Sequence, residues 1–200
     1  MRKKSFFGIE ENKRMRILID MDGVIADFDR EFLQRWRKRH PDKFYVPLEE
    51  RNTFYVKEQY PDELKPLVTE ILLEPGFFRD MVPVPGAVDA LIEMDARGFE
   101  VFICSSPLSA YKNSTLEKYE WVEKTLGFPW TKRVILTKDK TIVTGDFLID
   151  DKPAITGVVK SPTWEHILYD RLYNRGTEKR RIAWDNWEEI FRNSSSIIKR

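Results

Sequence analysis

The chain has 200 residues, with 34 Lys+Arg against 33 Asp+Glu for a formal net charge of +1, and 42% of it is hydrophobic. That length suits one domain, or one domain carrying a modest insertion. The balanced charge argues against an extended nucleic-acid track, and no apolar run approaches the roughly 18–20 residues of a membrane span. One cysteine and two histidines exclude an intrachain disulfide framework and disfavour a Cys- or His-built metal cluster, so a metal has to sit on oxygen ligands, which points to magnesium rather than zinc.

The opening MRKKSFFGIEENKRMR is too interrupted for a secretory h-region and, with Glu10 and Glu11, too acidic for a convincing transit peptide. Residues 1–14 therefore read as an extension dispensable to the fold and open to disorder. The expected compartment is the cytoplasm, with mitochondrial import the weaker alternative. Residues 15–19 form an apolar run ending in Asp-Met-Asp-Gly, which predicts a strand and an acidic turn. Residues 28–80 are rich in charge and aromatics, with prolines at 41, 47, 61, 66 and 75. Helical patterns fall at 28–39 and 62–73 and no buried strand is evident, so this block reads as a helical insertion. Residues 86–97 predict a helix with Val88, Leu91 and Ile92 on one face, closed by Gly98.

Next comes a strand at 101–104, ending in Ser105-Ser106-Pro107. Ser114 and Glu117 stand at capping-box spacing at the start of a helix over 114–126, with Tyr119, Val122 and Leu126 as its apolar stripe before Gly127. Further strands fall at 134–136, before Thr137-Lys138-Asp139-Lys140, and at 147–149, before Asp150-Asp151. Residues 165–169 and 181–184 are additional strand candidates, and the serines at 194–196 and the final Lys-Arg read as a frayed tail. Near-continuous apolar runs suit a parallel sheet buried on both faces. The alternation from 99 to 150 predicts βαβ units with right-handed crossovers.

In such a sheet, ligands bind in the crevice outside the carboxyl ends of the strands. Asp20 and Asp22, Ser105, Lys140, and Asp150 with Asp151 all stand at predicted strand ends, so they converge if the strands are neighbours. Gly23 permits a tight exit from the acidic turn. One carboxylate of the Asp20/Asp22 pair is then suited to nucleophilic attack and the other to proton transfer. Carboxylates this close repel one another, which makes a bound Mg²⁺ the expected partner. Lys140 is suited to neutralising phosphate oxygens, and the Ser105 hydroxyl to holding a transferring phosphoryl group.

Plainer readings compete with these. Asp20 and Asp22 are ordinary turn residues when taken alone, Asp150-Asp151 an ordinary cap or loop, and Ser105-Ser106-Pro107 an ordinary loop start. Lys138 competes with Lys140 for the role of catalytic amine. Phe54 and Tyr55 stand equally as core aromatics of the insertion. The six tryptophans read as packing, His166 as structural, and Cys104 as buried and inert.

D-M-D-G-V at 20–24 resembles the first motif of the haloacid dehalogenase-like phosphatases. F-I-C-S-S-P at 102–107, Lys140 within T-K-D-K-T, and G-D-F-L-I-D-D at 145–151 resemble the second, third and fourth. The similarity narrows to the 5′(3′)-deoxyribonucleotidases through D-M-D-G-V-I-A-D-F (20–28), E-Q-Y (58–60), P-G-A-V-D-A (85–90), E-K-Y-E-W-V-E (117–123), I-L-T-K-D-K-T (135–141) and S-P-T-W-E-H-I-L (161–168), and spans 15 to about 192.

The resemblance implies an α/β fold: a Rossmann-like parallel core of the haloacid dehalogenase type at 15–27 and 81–200, with 28–80 inserted as a helical cap. It implies that Asp20 attacks the phosphorus of a nucleoside monophosphate to form a phosphoaspartate. Asp22 then protonates the leaving sugar oxygen and later deprotonates the hydrolytic water. Mg²⁺ is held by Asp20, the backbone carbonyl of Asp22 and one of Asp150 and Asp151. Phe28, Phe54, Tyr55, Val56 and Phe77 (or Phe78) surround the nucleoside, with Ser105, Ser106, Lys118, Lys138 and Lys140 also binding substrate. An apolar wall there disfavours a ribose 2′-hydroxyl, whose unpaired burial costs roughly 1–3 kcal/mol. Three departures stand out: Ser105 where relatives often have threonine, Lys138 where arginine is common and loses bidentate geometry, and Ser109 where a relative carries lysine. The implied partner is a small nucleoside monophosphate, with no nucleic acid and no membrane, and a homodimer is carried as the expected assembly. The alternatives are another small phosphate monoester as substrate, or a catalytically silent binding relative.

Overall fold

In the computed structural model, which describes residues 14–192, a six-stranded sheet forms the centre of the protein. Its strands are β1 (Arg16–Ile19), β2 (Glu100–Ser105), β3 (Val134–Leu136), β4 (Phe147–Asp150), β5 (Glu165–Tyr169) and β6 (Arg181–Ile182). They lie in the order β3-β2-β1-β4-β5-β6, and every neighbouring pair is parallel. The expected extension falls outside the described residues, Arg14 apart, and so does the expected tail at 194–200.

The apolar runs explain the sheet. Ile17, Ile19, Ile103, Ile149 and Ile167 alternate onto one face and join the main core. Leu18, Cys104 and Leu148 point to the other face, where they meet Trp164, Val143 and Ile155. Alternation with both faces apolar is the pattern of a sheet buried on two sides. The second face, however, is covered by the irregular connections at 137–146 and 151–164. The strand–helix alternation predicted over 99–150 does not extend to the connection between β3 and β4, which forms a 3₁₀ turn, Lys140–Ile142. Asp139 accounts for the difference: its carboxylate accepts from Thr141 N at 2.9 Å and Val158 N at 2.8 Å, bonds that compete with helix.

Residues 28–80 supply no strand. They contain α1 (Phe28–Arg39) and α2 (Lys65–Leu72), joined by 3₁₀ turns. Asp27 caps α1 by accepting from Arg30 N at 3.3 Å. Phe32 and Trp36 of α1 and Val68 and Ile71 of α2 pack into the same core as the sheet. The remaining helices are α3 (Ala87–Ala96), α4 (Ser114–Leu126), α5 (Phe128–Thr131) and α6 (Trp187–Arg192).

Two helices turn different faces inward than the apolar pattern predicts. α3 buries Ala87, Ala90, Leu91 and Met94 and leaves Ile92 51% exposed. α4 buries Ser114, Glu117, Lys118, Trp121 and Val122, with Tyr119 exposed. Its buried face carries a charged pair, which a reading based on apolar spacing assigns to solvent. The capping box at 114–117 does not form. Asn113 is the N-cap, and the Glu117 carboxylate instead accepts from Gly76 N at 2.6 Å and Phe78 N at 3.0 Å. β6 ends at Ile182, and Trp184 turns inward to donate its indole N–H to the Val24 carbonyl at 2.8 Å. All six tryptophans are buried. No helix among the described residues is long and apolar enough to cross a membrane.

Candidate active site

Because β3, β2, β1 and β4 are adjacent and parallel, the residues that follow them meet at one edge of the sheet. The β1–β4 ladder continues one step further through Asp20 N, which donates to the Ile149 carbonyl at 2.8 Å. This fixes the acidic turn against the end of β4. Lys140 reaches in from the 3₁₀ turn after β3 and donates to both Asp20 Oδ1 and, at 2.6 Å, Asp150 Oδ2. Asp150 Oδ1 accepts from Lys152 N at 2.9 Å. All three charged groups are buried. Burial raises the Asp20 carboxyl above its ordinary value, opposed by the charge of Lys140. Burial alone lowers the Lys140 amine, but Asp150 and Asp20 outweigh it and hold the amine above its ordinary value, fully protonated.

Asp22 turns the other way. Its Oδ1 lies 2.5 Å from Nζ of Lys118, which is fully buried on α4, 3.9 Å from the Met21 sulfur and over the Phe78 ring at 4.7 Å. Burial raises the Asp22 carboxyl, and Lys118 opposes that rise. The two aspartates of D-M-D-G thus have separate cationic partners. Ser105 ends β2, and its buried Oγ lacks a hydrogen-bond partner. Ser106 is exposed.

Asp20, Asp150 and Asp151 each bring a carboxylate oxygen within 4.8 Å of the others. Burial and the charges of Asp150 and Asp20 push the Asp151 carboxyl well above its ordinary value, and Asp151 Oδ1 is buried without a partner. A trio of buried oxygen donors, one of them orphaned, fits a hard divalent cation. Asp22 stands outside the trio by its side chain. Gly23 makes the packing possible: its φ is +79°, and a Cβ there would collide with Oδ2 of Asp151.

The inserted segment 28–80 meets this edge through aromatics. Phe54 stacks edge-on with Tyr55 at 4.9 Å and with Tyr173 at 6.1 Å between centroids. Lys152 Nζ lies 5.5 Å from the Phe54 centroid and 5.4 Å from that of Tyr55. Phe28 packs edge-on against Phe77 at 5.3 Å. Val56 and Phe77 are core residues, 5% and 0% exposed, so neither offers surface to the opening in this state. Lys138 is exposed and donates to the Pro107 carbonyl at 2.6 Å, away from the carboxylates that hold Lys140. Cys104 is fully buried, and burial pushes its thiol up to about 12. His166 lies on β5, where burial and Lys179, 2.8 Å from its Nδ1, bring it down to about 4. A cavity of about 470 Å³ at 86–93 and 184–189 includes none of the strand-end groups.

Sequence reasoning passed over the segment 171–174. Tyr173 donates its hydroxyl to Asp151 Oδ2, Asn174 Nδ2 donates to the Asp151 carbonyl at 2.8 Å, and Arg171 Nε donates to the Gly23 carbonyl at 2.8 Å. The signal was the same one used for the other groups: this segment follows the carboxyl end of β5.

The family model described as 5′ nucleotidase, deoxy (pyrimidine), cytosolic type C protein matches residues 14–195. A relative from Bordetella pertussis is 52% identical over 177 residues, which cover 88% of this chain and 95% of its own. The 5′(3′)-deoxyribonucleotidase, cytosolic type, of Homo sapiens is 45% identical over 199 residues, 94% of this chain and 98% of its own. Among solved structures, a haloacid dehalogenase family hydrolase from Deinococcus radiodurans with bound phosphate and sodium aligns with a TM-score of 0.57 at 12% identity, covering 90% of this chain and 96% of its own. With the parallel sheet, the strand-end carboxylates and these likenesses together, the chain belongs to the 5′(3′)-deoxyribonucleotidase family, phosphoric monoester hydrolases built on the haloacid dehalogenase fold.

Proposed function

We propose that the protein is a Mg²⁺-dependent 5′(3′)-deoxyribonucleotidase that hydrolyses deoxyribonucleoside monophosphates through a phosphoaspartate on Asp20. The observation that carries the reading is the pairing of each aspartate of the acidic turn with its own buried lysine, beside an unpartnered Ser105 hydroxyl. Lys140 keeps Asp20 ionised and therefore nucleophilic. An Asp20 carboxylate oxygen attacks phosphorus, and the bond to the sugar oxygen breaks. Asp22, whose carboxyl burial raises, gives its proton to that oxygen. Asp22 then removes a proton from water, the resulting nucleophile attacks the phosphoaspartate, and Asp20 is released with inorganic phosphate. The Ser105 hydroxyl and Lys140 hold phosphoryl oxygens through both steps.

Asp20, the Asp22 carbonyl and the Asp150/Asp151 pair would hold Mg²⁺, which supplies neutralisation of phosphoryl charge. Residues 28–80 act as a cap, with Phe54 and Tyr55 against the base, Phe28 toward the sugar with the buried Phe77 packed behind it, Ser106 and Lys118 on the phosphate side, and Lys138 reaching the phosphate only on leaving the Pro107 carbonyl. The cytosolic descriptions of the matched family and of the human relative support a cytoplasmic compartment.

A turnover comparison of dUMP, dTMP, dGMP, UMP and glucose 6-phosphate, with Mg²⁺ and with chelator, tests the reading. Deoxyribonucleotides are expected to lead, UMP to trail modestly, the sugar phosphate to be hydrolysed least, and chelator to abolish turnover. Preference for the sugar phosphate, or full activity in chelator, overturns it.

A further inference from the structure

One turn of the chain, the 3₁₀ segment Leu172–Asn174 after β5 with Arg171 as its N-cap, makes three contacts with the site, one to the acidic turn and two to Asp151. Arg171 holds the acidic turn through the Gly23 carbonyl at 2.8 Å. Asn174 holds the Asp151 backbone at 2.8 Å and is itself fixed by Arg181, whose Nη1 donates to its Oδ1 at 2.6 Å. Tyr173 holds the Asp151 side chain by its hydroxyl. With Oδ2 engaged by Tyr173 and the carbonyl engaged by Asn174, Oδ1 is the one Asp151 oxygen left without a partner.

The Tyr173 ring faces the cap. The Arg51 guanidinium lies 5.4 Å from its centroid, and the Phe54 ring lies 6.1 Å away edge-on. Arg51 is in turn held within the cap, 2.6 Å from Gln59 Oε1 and 2.8 Å from Asp29 Oδ1 of α1. The absence of a side chain at Gly23 leaves room for the arrangement, since a Cβ there would lie 3.4 Å from the Tyr173 hydroxyl and would strike the Asp151 carboxylate.

We propose that Tyr173 is a positioning residue: its hydroxyl fixes the Asp151 carboxylate so that Oδ1 is the free ligand oxygen, and its ring ties that carboxylate to cap residues Arg51 and Phe54. The proposal deepens the functional reading above and rests on it for the presence of a metal at the acidic trio. It adds a mechanical link, in which whatever settles against Phe54 acts on the metal ligand through one aromatic ring. Partners that orient a metal ligand from outside the coordination sphere typically govern affinity by ten- to a hundredfold.

The test is Mn²⁺ binding to the full chain without nucleotide, followed by the EPR signal of free Mn²⁺, for the parent protein, Tyr173→Phe and Phe54→Leu. Tyr173→Phe keeps the ring and removes only the hydroxyl, and is expected to weaken Mn²⁺ binding about tenfold while the nucleotide KM at saturating metal stays within about twofold. Phe54→Leu, on the cap and remote from the ligands, is expected to weaken Mn²⁺ binding about two- to threefold, and it serves as the second probe should Tyr173→Phe fold poorly. Parent-like affinity in Tyr173→Phe overturns the positioning role, and parent-like affinity in Phe54→Leu overturns the link to the cap. A parent that binds no Mn²⁺ fails the metal reading itself, which separates that failure from failure of the positioning role.

Discussion

The strand-end half of the site and its cap half share one apolar core but are mounted on different backbone. Asp20, Ser105 and Asp150 hang from β1, β2 and β4, whose apolar side chains are buried on both faces of the sheet. Moving any of them requires breaking a parallel ladder. Residues 40–64 of the cap contain only 3₁₀ turns; Val56 and Tyr60 pack into the main core, and polar contacts tie down the turns between them. Trp36 donates to the Phe44 carbonyl at 3.0 Å, Arg51 pairs with Asp29 at 2.8 Å, and further along the chain Glu117 receives two backbone N–H groups from the cap's exit. A group mounted on regular structure is placed more precisely than one on a loop. The comparison teaches that the groups proposed to carry the chemistry sit on paired strands, while those proposed to meet the base sit on turns held by side-chain contacts.

The sharpest way to break the comparison is Asp20→Asn. It removes the proposed nucleophile and leaves every strand in place. Turnover is expected to fall by at least about 10³-fold with the circular dichroism spectrum unchanged, and residual activity near the parent level refutes the nucleophile assignment. Glu117→Ala comes next. It strands the buried Gly76 and Phe78 N–H groups, each worth roughly 1–3 kcal/mol when unsatisfied, so urea unfolding is expected to show a loss of about 3 kcal/mol. Glu117→Gln, which keeps an acceptor, is expected to lose less. Phe54→Ala removes an aromatic face from the cap half. Its KM for a deoxyribonucleotide is expected to rise about five- to tenfold, given the roughly 1–3 kcal/mol of base stacking, with kcat within about twofold. An effect on kcat alone places Phe54 in the chemical half instead.

The smallest effect concerns His166. In the folded protein it is held down to about 4, so the unfolded chain binds its proton first as pH falls. The stability that this neutral imidazole contributes is present above the ordinary histidine value near 6.5 and is lost as pH drops from there through about 4. The melting temperature of the parent is expected to fall across that window by a few degrees more than that of His166→Gln, and identical pH profiles refute the depressed value.

Much of the strand-end half was legible in the sequence because its signals are covalently adjacent. Ile17-Leu18-Ile19 runs straight into Asp20, and Phe147-Leu148-Ile149 into Asp150. A parallel sheet then brings such ends together without further information. The cap aromatics were legible as residues, but their depth was not: nothing local distinguishes Phe77, wholly buried, from Tyr55, half exposed. Glu117 was misread for the same reason. A glutamate three residues after a serine is a local pattern, whereas its partners at Gly76 and Phe78 lie about forty positions away and belong to tertiary structure. Tyr173 and Asn174 carry no periodicity at all, and their role exists only because β5 lies beside β4.

The strand order also bears on how the chain is assembled during synthesis. Of the six described strands β1 is synthesised first, yet it lies between β2 and β4. It cannot be flanked on both sides until residue 150 has been made. Until then a nascent chain carries Ile17, Leu18 and Ile19 with unpaired backbone beside them, the type of segment that recruits other chains. Elongation rate and holding by a chaperone therefore bear on yield through this one strand, and slowing translation before the Phe147 codon lengthens the interval of risk.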